Sequence, residues 1–327
     1  MTNLFLQQTG VEVPVICGPM YPGSNPELVA AVSAAGGLGV MQPISMTHIY
    51  GHDFRKGLQL IKQLTDKPFG MNFTLLAGNK RYEKRLDEWM GISIEEGVKF
   101  FLTSLGDPKW VCDKAHQHGI VVYHDVTTGY FAQKAQDAGV DGLICVNNRA
   151  GGQTGAKSPE AMMEEMKSIS IPLVCAGGIG NEDDFISALK MGYAAVQMGT
   201  RFLATKECQV QEEYKQAIVQ SSEKDIVWTN KLAGTNSSVI RTKDIEKGGL
   251  MVNPIFGYLL KNNSTKKLMR TLLLLRSLQT HKKVVLEKGY GEIWQAGKSV
   301  GSIHEIVPAG AVVDAFRKAF QHFNLQD

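Results

Sequence analysis

The feature that most constrains this chain is a repeated alternation across its first two hundred or so residues. Short apolar, β-branched runs give way to turns and then to segments with helical periodicity. The strand-like runs are Val13–Cys17, Leu38–Gln42, Phe69–Phe73, Val98–Thr103, Ile120–His124, Gly142–Val146, Leu173–Ala176 and Ala195–Met198. Helices are predicted over Asn25–Ala35, Lys80–Met90, Pro108–His118, Gly129–Ala138, Pro159–Lys167 and Glu182–Met191. Their punctuation supports the reading. Pro26 stands at a first helical position behind Ser24 or Asn25, and Ser158 and Asn181 are cap residues. Gly36, Gly119, Gly139 and Gly192 close helices.

Eight strands separated by helices call for parallel strands joined by crossovers. Eight of them in about 200 residues fit a closed (β/α)₈ TIM barrel better than an open sheet. The α/β competitor, a doubly wound sheet, needs a G-x-G-x-x-G turn behind its first strand. Here Cys17-Gly18-Pro19-Met20-Tyr21-Pro22-Gly23 stands there instead. The pattern changes near Thr205. Glu207–Val219 and Thr265–Leu286 read as long helices, and Ala311–Phe323 as a terminal one. The expected organisation is a barrel over 1–205, completed by 293–327, with an inserted smaller helical subdomain over 206–292.

Charge and composition narrow the partners. Lys and Arg number 35 against 32 Asp and Glu, a net charge of +3 that does not argue for nucleic acid. No run approaches the ~18 apolar residues of a membrane span. The N-terminus, MTNLFLQQTGVEVP, lacks the basic-then-apolar order of a signal peptide, so a cytoplasmic location is expected. The five cysteines are odd in number, scattered and without a C-x-x-C pair, which predicts buried free thiols. His116 and His118 have no Cys or carboxylate partner in the sequence around them that would make a metal site, and no metal is expected.

Barrels of this kind react at the C-terminal ends of their strands. Behind Leu173–Ala176 comes Gly177-Gly178-Ile179-Gly180, and behind Ala195–Met198 comes Gly199-Thr200-Arg201. Glycines on the last two loops let backbone approach a phosphate, and a helix N-terminus adds a favourable dipole. Gly18-Pro19-Met20 and Asn72 offer the mixed donors and acceptors that the edge of a flavin ring needs. Gly151 and Gly152 bring Gln153 to the mouth. His124 ends its strand and is expected to face that mouth as an acid–base group, with Asp125 turned the other way.

Taken in order, Gly18-Pro19-Met20, Asn72, the Arg149–Gly155 loop, Ala176-Gly177-Gly178-Ile179 and Met198–Thr205 resemble the motifs of the nitronate monooxygenase (2-nitropropane dioxygenase) family. The run Ala204-Thr205-Lys206-Glu207 and the tail Gly297-Lys298-Ser299-Val300-Gly301 are similar to that family's motifs too. The resemblance implies an FMN-dependent oxidoreductase acting on alkyl nitronates with oxygen, with a homodimer as one expected assembly. It implies an FMN site built from Gly18, Pro19, Met20, Asn72, Asp125, Gly151, Gly152, Ala176, Gly177, Gly178, Gly199 and Thr200, with Gln153 and His124 as the catalytic candidates. Related flavin reductases, including enoyl-acyl carrier protein reductase II, share these motifs. NAD(P)H-dependent reduction of an enoyl thioester or a quinone, or FMN binding without turnover, are therefore the alternatives. Two departures stand out. Gln153 occupies the place of the family's usual His, and Asp125 follows the strand-five His where the family often has Lys. Gln cannot titrate and can only orient by hydrogen bonds.

Overall fold

A computed structural model of the chain describes residues 3–76, 79–232, 236–251, 282–287 and 292–325. Eight parallel strands close into a barrel: β1 (Val15–Cys17), β2 (Leu38–Met41), β3 (Phe69–Thr74), β4 (Phe100–Ser104), β5 (Val121–Val126), β6 (Gly142–Val146), β8 (Leu173–Ala176) and β9 (Ala195–Met198). The last strand returns to the first, Val196 lying beside Val15 and Met198 beside Cys17. Two boundaries shift from the sequence reading. Pro14 has no N–H to give a ladder, and β1 begins after it. Strand β5 runs two residues past His124, so Asp125 belongs to the strand.

Side chains alternate along each strand. Ile16, Leu38, Val40, Leu102, Ile144 and Val174 fill the barrel interior together with Phe100 and Tyr123. Helix α1 (Leu4–Thr9) closes the end away from the strand C-termini. Its Phe5 meets the Tyr123 ring edge-on at 5.9 Å, and the Tyr123 hydroxyl donates to Gln8 Oε1 at 2.7 Å. The opposite strand faces pack against α2 (Pro26–Ala34), α3 (Phe54–Leu64), α4 (Lys80–Glu95), α5 (Lys109–His116), α6 (Gly129–Asp137), α7 (Pro159–Glu165) and α8 (Glu182–Lys190). Helix α3 is an element the sequence reading passed over. Asp53 caps it, and Phe54, Leu58 and Ile61 bury one face. The C-terminal helix Ala309–Asn324 lies against the barrel, with Phe316 5.1 Å from Phe185 of α8.

The described part of 206–292 holds strands as well as helices. Besides α10 (Glu212–Gln220) and α11 (Lys243–Gly248), β10 (Ile226–Thr229) pairs with β11 (Ser237–Ile240). Strand β11 pairs in turn with β7 (Gly152–Gln153), which lies in the loop behind β6. The helix expected over Thr265–Leu286 falls outside the described residues except for its last few. Helix α10 starts later than its expected Glu207, because Glu207 is engaged elsewhere. Its Oε2 accepts from Ala309 N at 2.8 Å, and its carbonyl accepts from Asn25 Nδ2. All five cysteines are free and buried. Among the described residues no helix is long and apolar enough to cross a membrane.

Candidate functional site

A cavity of about 430 Å³ opens at the C-terminal ends of the strands. Every loop singled out from the sequence contributes to its wall: Gly18–Met20 behind β1, Asn72 on β3, Gly151–Gln153 behind β6, Ala176–Gly178 at β8, and Gly199 and Thr200 behind β9. Asp125 lines it as well; His124 does not.

The turn behind β8 explains why two glycines stand together there. Gly177 has φ +121° and Gly178 φ +86°, a region in which a side chain is strained. A Cβ on Gly177 would lie 2.5 Å from Ala150 N and Asn147 Oδ1. Asn147, fully buried, ties this turn to the loop behind β6. Its Nδ2 donates to Gly177 O at 3.0 Å, and its Oδ1 accepts from Arg149 N at 2.9 Å. Arg149 then covers the turn, its guanidinium held from the other side by Glu223. The sequence reading named the loop but not these two residues as site components.

The helix dipole expected to assist here is already spoken for. Asn181 and Asp184 form a reciprocal capping box on α8, and Asp184 Oδ2 also accepts from Gly180 N at 2.9 Å. With Glu182 and Asp183 in the same turn, the α8 N-terminus is satisfied by its own acids. An anion is left the glycine turn and Arg149.

The C-terminal tail forms another wall. A bridge pairs Gln295 with Val239 of β11, and Trp294 stacks on Tyr214 of α10 at 5.6 Å. Thr200 Oγ1 accepts from Gly297 N at 3.0 Å, and Lys298 N donates to Arg149 O at 2.9 Å. A Cβ on Gly297 would lie 2.6 Å from Gly151 N, so the two glycines allow tail and loop to touch backbone to backbone. The run from Arg201 to Glu207 secures this segment. Arg201 donates to the carbonyls of Ala204 and Glu305, and Thr205 bridges to Val307.

On the β2–β3 side of the cavity, Gln42 Nε2 donates to Asn72 Oδ1 at 3.2 Å, and Asn72 Nδ2 donates to Leu102 O at 3.1 Å. Gln197 of β9 projects past Gly18, where a Cβ would lie 2.9 Å from its Cγ. Its Oε1 is buried without a partner. A buried carbonyl oxygen in that condition fits a donor brought by a guest.

Strand β5 reverses the expected roles of its two polar residues. Tyr123 points inward, so Asp125 does too, and His124 points toward the helices. Thr103 Oγ1 spends its proton on Tyr123 O at 3.1 Å and so accepts from His124 Nδ1, 2.8 Å away. Burial pushes His124 down to about 4, against a small opposing pull from Asp107. Burial likewise pushes the Asp125 carboxyl up to about 7, and the surface that it does expose faces the cavity. Gln153 is exposed at the rim, where it pairs with Ser237 across β7 and β11.

The family model for nitronate monooxygenase matches residues 3–315. The chain belongs to the nitronate monooxygenase family. Members of this family are flavin-dependent oxidoreductases. A (3aS,4S,5R,7aS)-5-hydroxy-7a-methyl-1-oxo-octahydro-1H-indene-4-carboxyl-CoA dehydrogenase of Rhodococcus jostii is 30% identical over 234 residues, 71% of this chain. The match spans 64% of that relative's own length. A probable nitronate monooxygenase of Staphylococcus saprophyticus is 28% identical over 80% of this chain and 84% of its own. Among solved structures, FabK from Thermotoga maritima superposes with a TM-score of 0.80 at 28% identity, over 100% of this chain and 98% of that one.

Proposed function

We propose that the chain is an FMN-dependent oxidoreductase of nitronate monooxygenase type, oxidising alkyl nitronates with molecular oxygen. The observation that carries the cofactor half of this reading is the left-handed Gly177-Gly178 turn beneath Arg149, on the wall of a cavity of flavin size. Gly177, Gly178, Gly199, Thr200 and Arg149 would hold the phosphate. Gly18–Met20, Asn72 and Gln197 would hold the edge of the ring. When bound, FMN supplies the two-electron redox chemistry. Gln153 at the rim would orient the substrate through hydrogen bonds. A nitronate arrives already ionised, so a residue that cannot titrate does not bar its use.

A second reading has specific support. The likeness to FabK covers the whole chain, and the Rhodococcus relative is named for a carboxyl-CoA substrate. Both fit NAD(P)H-dependent chemistry on an enoyl or related thioester. One set of assays separates the two. Flavin released by denaturing the protein is identified by chromatography; oxygen uptake with ethyl nitronate is then compared with NAD(P)H oxidation driven by crotonyl-CoA. FMN with oxygen uptake is the expected result. NAD(P)H oxidation alone would select the thioester reading, and recovery of FAD would overturn the cofactor assignment.

A further inference from the structure

Among the described residues, Asp125 is the one cavity-lining residue that brings an acidic side chain to the barrel's inner face. Its neighbours there are mostly hydrocarbon and backbone: Tyr123 below it on the same strand, Ile144 beside it on β6, and Val146 and Ala176 at the same end; on its other side Ser104 ends β4, its hydroxyl donating to Thr74 Oγ1 at 3.3 Å. Oδ1 is sealed from water and has no hydrogen-bond partner. An ionised carboxylate in that position would leave Oδ1 without the donors that a buried anion requires. A neutral carboxylic acid has one O–H to offer and suffers far less.

The surrounding charges do not relieve an anion. Among the described residues, the other titratable or charged groups on the cavity wall are Tyr21, Tyr82, Tyr214 and Arg149. Burial raises all three phenols above their ordinary value, so they stay neutral. Arg149 stands over the Gly178 turn, where it also pairs with Glu223. Cys145, on neighbouring β6, is a thiol raised by burial and by Asp125 itself. His124 on the same strand faces away and is held neutral.

We infer that Asp125 takes up a proton far more readily than an ordinary aspartate and serves, as a carboxylic acid, as a hydrogen-bond donor to the acceptor edge of the flavin ring, where reduction places negative charge. The inference rests on the FMN reading for its acceptor, but not for the state of the acid itself. As a neutral donor Asp125 would favour the charge that reduction places on the ring, without adding a charge to the cavity floor. Ionised, it would set one acceptor against another and repel the reduced ring.

The test uses two measurements. Carbon-13 NMR of the flavin-free protein, with Asp125 identified by its loss in Asp125→Asn, should show a carboxyl that titrates near neutrality. A resonance titrating in the usual aspartate range would overturn the inference whatever the protein binds. FMN affinity is then followed from pH 7.5 to 9, where the FMN phosphate is already a dianion. In the wild type the Kd should rise by up to about tenfold per pH unit, the slope for uptake of one proton on binding. Asp125→Asn, a permanently neutral donor of the same shape, should bind with a flat profile. Parallel profiles in the two proteins would overturn the role toward the flavin. Failure of both to bind FMN at any pH would sink the FMN reading and this role with it; the carbon-13 titration would still decide the state of the acid.

Discussion

Arg149 lies over Gly178 so closely that a Cβ at position 178 would stand 2.6 Å from its Nε. A cation and a bare left-handed turn are thereby placed on the same patch of cavity wall. Any side chain at position 178 would have to displace that of Arg149.

Gly178→Asp should abolish FMN binding. Its carboxylate would draw Arg149 to itself and repel the phosphate, and the φ of +86° would cost the new side chain about 1–3 kcal/mol. A domain of this size should then melt several degrees lower while keeping its circular dichroism. Flavin content measured on the purified variant checks this; a normal yield of flavin would place the phosphate elsewhere.

Arg149→Ala separates the phosphate from the ring. Hydrogen bonds to charged groups contribute about 1.5–3 kcal/mol, so FMN affinity should fall roughly tenfold to a hundredfold. Riboflavin, which has no phosphate, should bind wild type and variant alike. Stability should change little, because the Arg149–Glu223 pair is partly exposed. Equal losses for both ligands, read by fluorescence quenching, would show that Arg149 supports the cavity without contacting phosphate.

Gln153→His should raise turnover of a neutral nitroalkane more than turnover of its preformed anion. A well-placed general base is worth about 10²–10⁴-fold, and the anion has no proton left to remove. Stopped-flow reduction with nitroethane and ethyl nitronate, in both proteins at full flavin loading, reads the difference. A wild type already fast on nitroethane would mean that another group handles the proton.

His124 gives the protein a pH-dependent share of its stability. Its folded value of about 4 lies below the ordinary 6.5, because burial disfavours the imidazolium. The unfolded chain therefore binds the extra proton first. The contribution is complete above about 6.5 and is lost as pH falls toward 4, to the extent of roughly 3 kcal/mol. Urea unfolding of wild type and His124→Gln at pH 7 and pH 4.5 should show a smaller drop in the variant. Equal drops would mean that His124 is protonated freely in the folded state.

Much of the barrel was legible because its alternation is local. Strand runs, helix caps at Ser158 and Asn181, and the glycines behind β8 and β9 each declare themselves within a few residues. The facing of β5 did not. Both faces of a barrel strand are buried, so hydrophobicity carries no parity, and nearness to the strand end favoured His124. What settles the matter is Tyr123 reaching Phe5 and Gln8 from the far end of the chain's first helix. Helix α3 was visible in Asp53, Phe54, Leu58 and Ile61, and was simply passed over. Strands β10 and β11 are four residues each, and β11 takes one partner from a loop some eighty residues earlier in the chain. The Arg149–Glu223 contact, like the seating of Gly297 on Gly151, joins distant segments that no spacing rule connects.

The meeting of Gly297 with Gly151 also bears on when the cavity comes into being. Its wall includes Gln295 and Ser299, within the last tenth of the chain. All eight barrel strands precede those residues in the sequence, so every strand is synthesised before the last wall of the chamber. The chamber closes on that side only when Gly297 N reaches Thr200 and Lys298 N reaches Arg149.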